Sequence, residues 1–272
     1  MSRLSLPVGV FDSGVGGLTV LRALSAALPG EAFLYLGDTA RLPYGTKSAA
    51  TVVRYATRAA ELLQERGIKA LVVACNTASA AALPALRERF PGLPVIGVVE
   101  PGAAVACARS ASGRIAVLAT ESTVAGGAYQ RAIAALRPDA EVSARACQVF
   151  VALAEEGWTT GDVVVAAAHR YLDALFGTPD AAPDTLVLGC THFPVLAAAI
   201  ASVVGPAVQV VDASDAVAAA LKTLLGEHGL LAAAAAGRLE LLATDGVERF
   251  ARVGATFLGR PIAASDVHLV DL

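Results

Sequence analysis

The chain has no block of basic residues. Its 21 lysines and arginines stand against 24 aspartates and glutamates, a formal charge of −3. The electrostatic footprint of a nucleic-acid binder is therefore missing, and no nucleic-acid partner is expected. A spanning segment is missing too. The mean hydropathy is positive, at +0.61, yet no stretch of about 20 residues is free of charges or breakers, as a membrane helix requires. The segment Met1–Val10 has no signal-peptide hydrophobic region and runs straight into Phe11-Asp12-Ser13-Gly14. A soluble, cytoplasmic protein with no membrane partner is the expectation. Cysteine is scarce: Cys75, Cys107, Cys147 and Cys190 are the full set. None forms a C-x-x-C pair and none has histidines at zinc-finger spacing, so no metal site is expected. A cytosolic chain of this length has no need of disulfides, and free thiols are the default.

What is abundant is apolar: 56% of the 272 residues are hydrophobic, and much of that is alanine, which suits helices packed on a sheet. The length allows one large domain or two of ordinary size. The chain uses one short stretch twice. Leu71-Val72-Val73-Ala74-Cys75-Asn76-Thr77 is echoed by Leu186-Val187-Leu188-Gly189-Cys190-Thr191-His192. Each is a continuous apolar run ending in a small residue, a cysteine and two polar residues. Helix-like segments follow, from Ala78 to Arg89 and from Pro194 to Val203. Such runs, alternating with helices, read as buried parallel strands. Both cysteines then lie at carboxyl ends of strands, where open α/β sheets bind ligands. A duplicated architecture follows, with one cysteine from each half and a boundary near Val98.

Further strands are expected at Val8–Phe11, Phe33–Leu36, Val95–Val98, Arg114–Leu118, Glu141–Cys147, Gln209–Val211, Leu239–Ala243 and Val267–Val270. The fourth strand is read as ending in Glu100-Pro101-Gly102. Helices are expected from Leu18, over Ala49–Arg66, Val124–Leu136, Asp162–Phe176 and Val247–Leu258, and after Val211; Phe150–Glu156 is ambiguous. This alternation predicts an α/β fold with parallel sheets. No low-complexity linker divides the chain, although 232–236 is a local alanine run.

The turn Asp12-Ser13-Gly14-Val15-Gly16-Gly17 joins a strand to a helix, but it matches neither nucleotide fingerprint. A dinucleotide motif from Gly14 would need glycine where Thr19 stands, and the Gly-Lys-Ser/Thr of a P-loop is absent. It either offers backbone amides to a carboxylate or is a tight turn in which Asp12 and Ser13 only cap the helix. The loop Gly37–Gly45, with Pro43 and Tyr44, forms one wall of a pocket or an ordinary turn.

A cysteine at a helix N-terminus has its thiolate favoured by the helix dipole, so a pKa lowered towards neutrality is expected for both thiols. One such cysteine points to a nucleophile. Two across a cleft point to a base on one face of a carbon and an acid on the other, the symmetry that a racemase needs. Asp12 could bind a substrate ammonium or orient Cys75, and His192 could serve Cys190 likewise. Arg41 and Lys47 are the only cations in these loops, so amides and hydroxyls at Ser13, Asn76, Thr77 and Thr191 must hold substrate carboxylates. A single buried cysteine is more often a small hydrophobe, and Cys107 and Cys147 are read that way.

The motifs Phe11-Asp12-Ser13-Gly14-Val15-Gly16-Gly17-Leu18, Pro43-Tyr44-Gly45, Ala74-Cys75-Asn76-Thr77-Ala78-Ser79 and Gly189-Cys190-Thr191-His192-Phe193-Pro194 resemble, in order, the glutamate racemases of the aspartate/glutamate racemase family. The resemblance implies two pseudo-symmetric, doubly wound α/β domains with mainly parallel sheets and the active site in the cleft between them. Residues 1–98 plus 212–272 would form the first domain and 99–211 the second. It also implies cofactor-independent interconversion of L- and D-glutamate, supplying D-glutamate for peptidoglycan, in a cytoplasmic homodimer. Cys75 would take the proton from D-glutamate and Cys190 from L-glutamate, with Asp12, His192 and Glu155 in the catalytic set. Asp12, Ser13, Tyr44, Gly45, Asn76, Thr77, Thr120, Thr191 and His192 would bind substrate. The segment Cys147-Gln148-Val149-Phe150-Val151-Ala152-Leu153 departs from the family's usual Cys-Pro pattern. Activation by a cell-wall precursor, linked in some members to an N-terminal extension, is not expected.

Three rivals remain. An aspartate or hydantoin racemase of the same family would share the thiol pair, but Cys190-Thr191-His192 resembles the glutamate branch. A pyridoxal-phosphate racemase needs a Schiff-base lysine, and of Lys47, Lys69 and Lys222 only Lys47 lies near a motif loop. A binding protein with two α/β lobes would hold an amino acid without chemistry.

Overall fold

The computed structural model describes residues 3–178, 181–232 and 237–272, so the alanine run is outside them except for Ala232. Ten strands occur among these residues: β1 (Val8–Asp12), β2 (Phe33–Gly37), β3 (Ala70–Val73), β4 (Val95–Gly97), β5 (Arg114–Ala119), β6 (Glu141–Ala146), β7 (Thr185–Gly189), β8 (Gln209–Val211), β9 (Leu239–Ala243) and β10 (Val267–Leu269). They make a six-stranded sheet in the order β10-β9-β2-β1-β3-β4 and a four-stranded sheet in the order β6-β5-β7-β8. Every recorded pairing is parallel. A parallel sheet is stable when helices cover both faces, and the apolar runs are long enough to supply both. Val10 and Val72 face one core, which continues under the second sheet to Leu118, Leu188 and Phe150. Their neighbours Phe11 and Val73 face the opposite core, closed by Val52, Ala56 and Leu63 of the helix Ala49–Glu65. Successive side chains of a strand point to opposite faces, so one run serves two layers.

Four local readings change. Glu100-Pro101-Gly102 does not end a strand but lies in the first turn of a helix, Val99–Arg109. Proline is tolerated there because first-turn amides have no intrahelical acceptor. The helix expected over Val124–Leu136 is two, Glu121–Gly126 and Ala128–Leu136, broken where Gly127 takes φ +63°. The ambiguous stretch is helical, Gln148–Glu155. The helix expected from Pro194 begins as a 3-10 turn, Phe193–Leu196, and becomes α-helical only over Ala197–Val204. Among the described residues no helix is long and apolar enough to cross a membrane.

Candidate active site

The carboxyl ends of β1, β3, β5 and β7 deliver the loops that meet between the two sheets. Cys75 follows β3 and caps the helix Asn76–Arg89, its sulfur accepting the Ala78 N–H at 3.4 Å. Its thiol also reaches Ser13 Oγ at 3.5 Å. Cys190 follows β7 without an α-helix behind it, because the next residues form the 3-10 turn. In place of helix amides it has His192, whose Nδ1 lies 3.9 Å from Cys190 Sγ. The other ring nitrogen, Nε2, donates to Glu155 Oε1 at 3.1 Å. Arg249 Nη2 donates to Glu155 Oε2 at 2.8 Å, which completes a line from thiol to surface.

Both thiols open onto one cavity of about 30 Å3. Ser13, Tyr44, Gly45, Asn76 and Thr77 line it from the first sheet's loops, and Thr120, Glu155, Thr191 and His192 from the second's. Asp12 is not among its walls. That carboxylate is fully buried behind the turn, where Oδ2 accepts the Gly14 N–H at 2.9 Å and Oδ1 has no partner. Neither Arg41 nor Lys47 lines the cavity. Arg41 instead pairs with Asp38 at 3.5 Å and donates to the Leu272 carbonyl. A bound carboxylate would meet hydroxyls and amides here: Thr77 and Thr120 Oγ1 lie 2.9 Å apart, and both reach Thr123.

The Asp/Glu/hydantoin racemase family profile matches residues 9–221. A glutamate racemase of Geobacter metallireducens is 47% identical over 266 residues, covering 97% of this chain and 96% of its own. A solved glutamate racemase of Francisella tularensis, in complex with D-glutamate, superposes with TM-score 0.90 at 35% identity, covering 99% of this chain and 98% of its own. The Thermus thermophilus glutamate racemase, solved with β-chloro-D-alanine, gives 0.87 at 42% identity, with 99% and 98% covered. The chain belongs to the Asp/Glu/hydantoin racemase family.

In this family member the two thiols sit in unlike electrostatic surroundings. Burial, and after it the Asp12 charge, pushes the Cys75 thiol up to about 12, against the hydrogen bonds from Ser13 and Ala78. The lowered pKa expected at its helix N-terminus is not found, because desolvation outweighs a dipole that contributes about 1 kcal/mol. Burial also raises the Asp12 carboxyl. On the opposite wall, burial would lower His192, but the hydrogen bonds to Cys190 and Glu155 overcome it and carry the imidazole up to about 10. Glu155 moves down although burial opposes this, since His192 and Arg249 both favour its carboxylate.

Leu42 and Pro43 line the cavity, as the pocket-wall reading of the loop Gly37–Gly45 expects, whereas Gln148, Val151 and Tyr129 escaped the sequence reading. Gln148 and Val151 complete the wall, and Tyr129 holds Asn76 from behind, donating to Oδ1 at 2.7 Å. The helix carrying Gln148 and Val151 was legible only as ambiguous. Arg249 carried no local signal, since it lies far along the chain from Glu155. Cys107 is half-buried and Cys147 buried, and neither lines the cavity. Among the described residues no group of three or more His, Cys, Asp or Glu is placed to hold a metal ion.

Proposed function

We propose that this racemase interconverts L- and D-glutamate by a two-thiol proton transfer, with Cys75 and Cys190 as the acid and base. The observation that carries the reading is one small cavity with a buried thiol on each side and no cation in its wall apart from His192. One sulfur, as thiolate, takes the Cα proton; the other, as thiol, returns a proton to the opposite face. Each turnover leaves the former base as a thiol and the former acid as a thiolate, and proton exchange with water resets the pair for another turnover in the same direction. Burial keeps Cys75 protonated, the state required to deliver a proton when L-glutamate is the substrate and Cys190 the base. His192 supplies positive charge beside the sulfur that must act first. Ser13, Asn76, Thr77, Thr120 and Thr191, with Tyr44 and Gly45, hold the substrate's carboxylates and ammonium. Asp12 acts from behind Ser13 and Gly14 through its charge on Cys75 and His192.

A cavity of about 30 Å3 holds about one water, far less than an amino acid. Residues 1–98 with 212–272, and residues 99–211, are the two lobes that part to admit substrate. The setting we propose, on the motif resemblance alone, is a cytoplasmic homodimer supplying D-glutamate for peptidoglycan. The test is incubation with L-glutamate in D2O, following Cα proton loss by NMR and racemisation by circular dichroism. Racemisation by the wild type, and its loss in Cys75→Ala and in Cys190→Ala, is the expected result. Reaction of aspartate but not glutamate overturns the substrate assignment; exchange in neither amino acid overturns the racemase reading.

A further inference from the structure

Glu155 is held from two sides by different parts of the molecule. His192 takes Oε1 and belongs, like Glu155, to the part of the chain that forms the four-stranded sheet. Arg249 takes Oε2 and comes from Val247–Leu258, the helix between β9 and β10 of the six-stranded sheet. The same helix supplies Phe257, fully buried, whose ring meets the His192 ring edge-on at 5.1 Å. One helix of the first sheet therefore grips both ends of the line that leads to Cys190. The Glu155 side chain is 14% exposed and Arg249 51% exposed, so the contact lies where the buried line meets solvent.

We propose that Arg249 is a positioning residue that ties closure of the cavity to the Cys190 side, holding the Glu155 carboxylate on His192 only while the two sheets are together. This rests on the racemase reading above and assigns it a residue that touches neither substrate nor thiol. The physical reason is that a carboxylate drawn towards an apolar wall needs compensating charge. His192 supplies part of it from within. Arg249 supplies the rest from across the junction and fixes which oxygen faces the imidazole. The other charged groups around Glu155 are few. Asp245 shares a small side cavity of about 140 Å3 with Glu155 and Arg249, Glu156 follows on its own helix, and Cys190 and Asp12 act on it through His192.

The sign follows from the charge removed. Without Arg249 the Glu155 carboxylate is less favoured, so it protonates at higher pH and His192 loses its acceptor sooner. In Arg249→Gln the acid limb of the kcat/KM profile should move to higher pH, a loss of roughly two- to fivefold at a pH on that limb. The loss should fade at higher pH. Arg249→Lys should restore most of the limb. In the wild type, added salt should shift the limb the same way, since an exposed pair is screened more than a buried one. A merely structural role would lower the folded fraction and leave the limb in place. An unmoved limb in Arg249→Gln, with the wild type racemising normally, overturns this inference alone. Absence of Cα exchange in the wild type overturns it together with the function it rests on.

Discussion

Replacing Gly16 by alanine adds one methyl group where the first sheet's glycine turn packs against Thr191 and His192. The added Cβ would lie 2.5 Å from His192 Nδ1, 2.5 Å from Thr191 Oγ1 and 2.6 Å from His192 Cε1. Favourable contact between such atoms begins at about 3.5 Å, so the imidazole must retreat by about 1 Å. Gly16 is not among the glycines with positive φ, so the backbone accepts alanine and the effect is steric. The displaced nitrogen is the one facing Cys190 Sγ, already 3.9 Å away. A misplacement of about 1 Å in a catalytic group costs about 10²-fold, while overpacking of this size costs about 1–3 kcal/mol of stability. The expectation is therefore a folded enzyme with kcat/KM lowered about 10²-fold in both directions, read by circular dichroism of glutamate racemisation. Gly126→Ala, where an added methyl meets nothing within 4 Å, is the control. A folded Gly16→Ala variant within about threefold of wild type would refute the claim that His192 must stand against Cys190.

Two further outcomes concern stability. Lys69 and Glu31 form a buried ion pair at 2.5 Å, with side chains 0% and 3% exposed. Lys69→Met should cost about 3–5 kcal/mol in urea denaturation, because it strands a buried carboxylate, and adding Glu31→Gln should recover part of that. A single variant costing under about 1 kcal/mol would show that the pair is not desolvated. The second concerns pH. His192 is raised in the fold from 6.5 to about 10, so its stabilising contribution is complete below about 6.5 and is lost as pH rises through about 10. Cys75, raised from 9.0 to about 12, extends the decline above pH 9. Stability should fall between pH 7 and 10 by up to about 1.4 kcal/mol per unit for each proton involved. His192→Gln should flatten that slope, and an identical slope in the variant would refute the assignment.

The sequence carried the fold because burial on both faces leaves a simple trace. The runs ending at Ala74 and Gly189 are apolar throughout, and such runs have few structural outcomes. The two thiols were legible for the same reason, since a polar pair after a buried strand falls at the sheet's carboxyl edge. The electrostatics of the site were not. Position at a helix start is visible in sequence, whereas burial and the proximity of Asp12 to Cys75 depend on packing. The helix start itself was shared by only one thiol, because Phe193-Pro194 opens a 3-10 turn after Cys190. Arg249 was invisible on different grounds: it is 94 positions from Glu155, and no periodicity links the two. Gly127 ended a helix that its neighbours would have continued, a choice made by one backbone angle.

The pairing of β2 with β9 joins residues 33–37 to residues 239–243, and this has a consequence for synthesis on the ribosome. The four-stranded sheet is drawn from one unbroken segment, 114–211, and can form once that segment has emerged. The six-stranded sheet cannot be completed until the last strands leave the exit tunnel, since long-range parallel pairing must wait for its distant partner. Both thiols are made before the helix that grips Glu155 and His192, which spans Val247–Leu258. A nascent chain therefore carries both thiols without the assembled site until residues 239–269 have been made and paired.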